Sequence, residues 1–87
     1  MTRFVRLAGE LERACTGLDL VTRDRTRELP TDTAFNADRI ESVSLAELPD
    51  LGIVIEALVP GGAYAWSFEP GPDGLHAADR WLAILTK

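Results

Sequence analysis

Cysteine, histidine and lysine each occur once in this chain of 87 residues, and each scarcity removes a class of function. The single Cys15 excludes an internal disulfide and suits a reducing cytoplasm. Cys15 and His76 leave a zinc site short of the roughly four N, S or carboxylate ligands it takes. Carboxylates are many, but they lack the calcium-loop spacing with its central glycine. No apolar run approaches the roughly 18 residues of a membrane-spanning helix. The first ten residues lack the long apolar stretch of a secretory signal. No glycine-rich loop follows a strand and opens a helix, so no cradle for phosphate is expected. Gly71-Pro72-Asp73-Gly74 does precede a helical pattern, but Asp73 would repel an anion there. His76 and Asp79 fall within one helical turn, and no nucleophile candidate accompanies them. These residues therefore read as a surface pair, and the chain as non-enzymatic, with no cofactor and no metal.

What is present is apolar and acidic. The hydrophobic fraction is 46%, ordinary for a globular chain, and the length suits one domain spanning residues 1–87. Richness in Ala, Leu, Arg, Gly and Asp with one Lys accords with a GC-rich bacterial or phage gene. Charge is distributed unevenly. Residues 1–27 carry +2, residues 28–79 carry −9 with Arg39 as their lone cation, and the last eight residues carry +2. Phosphate contacts need Lys and Arg, so the middle segment is a poor nucleic-acid binder.

The chain is organised around residues 53–69. Ile53, Val54, Ile55, Leu58 and Val59 form one β-prone run, and Tyr64, Trp66 and Phe68 dominate a second. Pro60-Gly61-Gly62 between them can reverse the chain, which predicts a β-hairpin. Period two puts Tyr64, Trp66 and Phe68 on one face, and Ala63, Ala65, Ser67 and Glu69 on the other. On the first strand Ile53, Ile55, Ala57 and Val59 face one way, and Val54, Glu56 and Leu58 the other. Three aromatics can bury roughly 500 Å². At about 25 cal/mol per Å² that is on the order of 10 kcal/mol, as an upper bound, so the stripe is expected to be core. Its acidic surroundings argue against a base-stacking platform.

Around this hairpin the pattern predicts an amphipathic helix over 3–16, with Phe4, Leu7, Leu11 and Cys15 on its stripe. Thr2 is the expected cap, Gly9 an interior residue, and Gly17 the stop. Residues 18–25 read as a strand, and continuation would line Arg23, Arg25 and Arg27 along one face. Residues 29–39 look irregular, with Phe35 pinning them to the core. At 40–48 a strand from about 39 to 44 is favoured, although Ser44-Leu45-Ala46-Glu47 also matches a capping box. A final helix is expected over 74–86, capped by Asp73, with Trp81 against Tyr64 or Phe68. The order predicts an α+β, two-layer sandwich: an antiparallel sheet of three or four strands with both helices on one face. The other face would stay open.

The functional expectation follows from charge. A small acidic protein of this kind suits a protein-binding module that blocks a basic site on a larger partner, of which a nucleic-acid-binding protein is one kind. Asp32, Asp38, Glu41, Glu47 and Asp50 are the candidate contact residues. By size and charge alone, inhibitor or immunity-type proteins, including phage anti-defence proteins of the anti-CRISPR kind, fit the profile. Two alternatives differ in class. A self-associating accessory domain would dimerise through the open sheet face, with Ala65 and Leu58 in the interface. A small-molecule or catalytic domain would need a concave pocket at His76. Neither direct nucleic-acid nor membrane contact is expected.

Overall fold

The computed structural model describes residues 3–50 and 52–86. Its centre is the expected hairpin, strands Gly52–Val59 and Gly62–Phe68. In chain order the strands are β1 (Phe4–Val5), β2 (Cys15–Thr22), β3 (Thr26–Leu29), β4 (Phe35–Asn36), β5 (Ser42–Leu48), β6 (Gly52–Val59) and β7 (Gly62–Phe68). The helices are α1 (Gly9–Ala14) and α2 (Pro72–Leu85), and Ala37–Arg39 form a 3-10 turn. Five strands make one antiparallel sheet in the order β3-β2-β7-β6-β5, while β1 and β4 form a separate two-stranded ribbon. The fold is thus mixed, with one more strand in the main sheet than the sequence pattern predicts.

The hairpin turns at Pro60-Gly61, where proline fixes the first φ and Gly61 takes a φ of +86° at the second. Its register pairs Ile53 with Phe68, Ile55 with Trp66 and Ala57 with Tyr64. All six stand on one face, and that face is the core side: Ile53, Ile55, Ala57, Trp66 and Phe68 are buried, Tyr64 half-buried. Leu18 and Leu20 of β2, opposite Trp66 and Tyr64, extend the same face. Helix α2 lies across it. Trp81 meets Trp66 edge-on, centroids 5.3 Å apart at 75°, and Phe35 at 6.4 Å. These rings, and not Tyr64 or Phe68, are its aromatic partners. Phe35 is buried as expected, 5.2 Å from Trp66 and 5.0 Å from Tyr64.

Expectations for the first half of the chain are corrected. The helix predicted over 3–16 is only Gly9–Ala14. Gly9, its first residue, takes a φ of +60°, outside the right-handed helical region, so the helix does not continue back through it. The chain before it forms β1 instead, leaving Phe4 exposed, and Cys15 starts β2. Six residues cannot sustain a helix alone, and α1 persists because Leu11 is buried beside α2. The Thr2 cap lies outside the described residues. Gly17 does not stop a helix; it follows a bulge in β2.

The strand predicted over 18–25 ends at Thr22. Both the N–H and the hydroxyl of Thr22 donate to the Arg25 carbonyl, closing a turn, and the chain returns as β3. Arg23 and Arg25 therefore sit in the turn and Arg27 on β3, so no row of three guanidiniums forms. This return is the fifth strand. Ser44–Glu47 belongs to β5, so the capping-box reading fails and the strand runs longer than predicted.

Helix α2 begins at Pro72, with Gly71 before it and no side-chain cap from Asp73. At its other end Arg3 donates to the carbonyls of Ile84 and Leu85 (3.1 and 3.3 Å). This guanidinium serves the last carbonyls of the helix and favours its negative end. No helix among the described residues is long and apolar enough to cross a membrane.

Candidate functional site

The cross-strand register defines the sheet face opposite α2. Glu28, Asp19, Ala65, Glu56 and Ser44 stand side by side across β3, β2, β7, β6 and β5. The next row is Thr26, Val21, Ala63, Leu58 and Ser42. A third is Gly17, Ser67, Val54 and Ala46. None of these positions holds Lys or Arg, and three hold carboxylates. Val21 and Leu58 are 38% and 42% exposed, flanking the buried Ala63. Asp19 and Glu28 are directly opposed, so their Cβ atoms lie within about 5.5 Å. Asp19 and Glu56 flank Ala65, two strand spacings or about 10 Å apart. The result is a shallow apolar pair beside a negative row on an open face.

The five acidic residues singled out from the sequence are all exposed, but they do not form one patch. Asp38 sits in the 3-10 turn, where its carboxylate accepts the Arg3 N–H (2.9 Å). Glu41 precedes β5, and Glu47 lies near its far end with Asp50 in the following turn. Asp32 stands apart, in the β3–β4 connection that Thr31 ties to Glu12 of α1 (3.1 Å). Among the described residues the one ion pair is Arg80–Glu10 at 3.9 Å, between exposed side chains, so none of these five is neutralised by an arginine. Sequence reading did not single out Asp19 and Glu28 as candidates. The alternation of Asp19 with Leu18 and Leu20 was visible; its alignment with Glu28 and Glu56 needed the register.

Of the clefts among the described residues, two bear on the alternative readings. One, of about 480 Å³, opens where α2 leaves the core face uncovered, between the hairpin turn and the β1–β4 ribbon. Phe4, Phe35 and Tyr64 supply its rings and Arg39 its only charge. The other, of about 260 Å³, lies between α1 and α2. His76 lines it beside Glu10, Arg13, Asp73 and Arg80, and is itself exposed. Nothing among those side chains supplies a nucleophile for it. No three His, Cys, Asp or Glu side chains among the described residues cluster as a metal site. Cys15 is half-buried, its thiol donating to the Gly17 carbonyl (3.3 Å). Burial pushes its pKa up, the Glu12 carboxylate adds to this, and backbone hydrogen bonds oppose it. It is a thiol at neutral pH and a poor nucleophile.

Comparison with protein-family models, curated proteins and solved structures gave no match to this chain.

Proposed function

We propose that this protein is a small, acidic, non-enzymatic binding module that occupies a basic site on a larger protein, as inhibitors and immunity-type proteins do. One observation carries the reading: the open sheet face holds Asp19, Glu28 and Glu56 and no cation. Charge of one sign on an exposed surface speeds encounter with a surface of the other sign and rejects like-charged partners. Val21 and Leu58 supply the exposed apolar contact that affinity needs beside it.

Size limits how far this face acts alone. Five strands at about 4.8 Å and three rows at about 6.8 Å give on the order of 500 Å². A standard interface takes roughly 800 Å² per partner. The contact would then continue past the sheet edge, towards Asp38, Glu41, Glu47 and Asp50. Self-association through the open face is the weaker reading, because it sets three carboxylates of one copy against three of the other.

The test is affinity capture from the native host, then titration of the captured partner against two charge-neutral sets. One set is Asp19→Asn, Glu28→Gln and Glu56→Gln; the other is Asp32→Asn, Asp38→Asn, Glu41→Gln, Glu47→Gln and Asp50→Asn. At least one set should slow association severalfold and flatten its dependence on salt. Unaltered binding by both at low salt would remove the charge account.

A further inference from the structure

The two edges of the main sheet are built differently. The β3 edge is four residues long and carries Arg27 and Glu28, directly after a turn holding Arg23 and Arg25. A short, charged edge is the usual protection against strand pairing. The β5 edge has less protection, its one charge being Glu47 near its end. It runs seven residues, pairs with β6 without interruption from Ser42↔Leu58 to Leu48↔Gly52, and carries no charge from Ser42 to Ala46. No segment among the described residues bonds to its outer side, and Ser42, Ser44 and Ala46 to Leu48 are exposed. In an antiparallel pair every second residue turns its N–H and C=O outward, so about three residues of β5 offer both groups to another strand.

We propose that β5 receives a sixth strand from the partner, and that this strand is an extended segment bearing Lys or Arg. The inference rests on the reading that the partner is basic, and gives that partner's shape. Charge at the edge selects the occupant. Asp38 and Glu41 stand at the start of β5, Glu47 and Asp50 at its end, about 20 Å away at the rise of a strand. Arg39, the nearby cation, lines the aromatic cleft. A strand with alternating side chains puts one set beside Val43, Leu45 and Glu47, and the other beside Ser42, Ser44 and Ala46. The second set prolongs the row that already holds Glu56. Pairing with a second copy is less favourable. Antiparallel β5 strands centred on Leu45 set Glu41 of each copy opposite Pro49 and diagonal to Glu47 of the other, two like-charge encounters per dimer. Main-chain hydrogen bonds would supply affinity and the flanking carboxylates would supply choice of partner.

The test uses the isotope-labelled full chain and three seven-residue peptides. The first alternates Lys and Val, the second is the same peptide N-methylated at every residue, and the third alternates Glu and Val. The Lys–Val peptide should bind, with hydrogen-exchange protection gained at amides within Ser42–Leu48. N-methylation keeps the charge and removes every N–H, so it should weaken binding at least tenfold. The Glu–Val peptide should not bind. Equal binding of the N-methylated peptide overturns strand addition. If that binding is also weakened by Asp38→Asn with Glu41→Gln, Glu47→Gln and Asp50→Asn, the acidic-surface reading stands without it. Failure of the Lys–Val peptide to bind, or protection confined to the open face, likewise overturns it. So does β5 protection in the free protein that rises with concentration, which would assign the edge to a second copy.

Discussion

Replacing Glu28 by Gln should stabilise the isolated protein. Glu28 of β3 and Asp19 of β2 are paired across the strands on the open face, with no Lys or Arg at any of the neighbouring positions. Like charges directly opposed in an antiparallel pair cost about 0.2–1 kcal/mol, an amount reduced by solvent when the pair is exposed. For a domain of this length 1 kcal/mol moves Tm by about 4–8 °C, so Glu28→Gln should raise it by about 1–6 °C. The assay is thermal unfolding in 10 mM and in 1 M salt. Screening acts over about 30 Å in the first and about 3 Å in the second, so the gain should appear in dilute buffer and fade in concentrated salt. Asp19→Asn alone should give a similar gain, and the double substitution less than the sum of the two. A lower Tm at 10 mM, or an increase that persists undiminished at 1 M, would refute electrostatic opposition as the cause.

Trp81 is fully buried, and its Nε1 has no hydrogen-bond partner among the described residues. An unsatisfied buried donor costs about 1–3 kcal/mol, so Trp81→Phe should lie within about 1 kcal/mol of wild type in chemical denaturation, the lost area offset by the removed donor. Trp81→Ala should cost about 3–5 kcal/mol, and equal damage by both would mean that the indole N–H is satisfied. For Cys15, alkylation by iodoacetamide at pH 7.5 should be far slower in the native state than in denaturant. Its raised native pKa means that its contribution is complete below the ordinary thiol range and is lost as pH climbs through that range towards the native value. The stability difference between wild type and Cys15→Ala should therefore shift against wild type above about pH 9, and a flat difference would show that the thiol is not desolvated.

The hairpin was legible because local and global signals agree there. Aromatic and branched residues alternate on both sides of Pro60-Gly61, and the same alternation fixes which face is core. The last helix was legible in its apolar stripe, less so in its cap, where Gly71 stands in place of Asp73. The first helix misled because its 3.6-residue period is real, but a single backbone angle at Gly9 overrides it. The fifth strand was hidden because the arginine-rich turn at 23–25 has no proline or glycine to mark it. For the candidate surface, Glu56 was visible as outward-facing from parity alone. The acidic row it shares with Asp19 and Glu28 is a property of register, and register is decided by residues far apart in the chain.

Strand β2 is made before β3 to β6, yet its longest partner, β7, is made only after them, with Leu18 awaiting Trp66. Glu69 then bonds back to Ala14, and Arg3 reaches the carbonyls of residues 84 and 85. A nascent chain on the ribosome therefore cannot complete its sheet until β7 has left the exit tunnel. Until then the β2–β3 hairpin carries Leu18 and Leu20 with no cover, which makes this interval the one in which a chaperone or a protease has access.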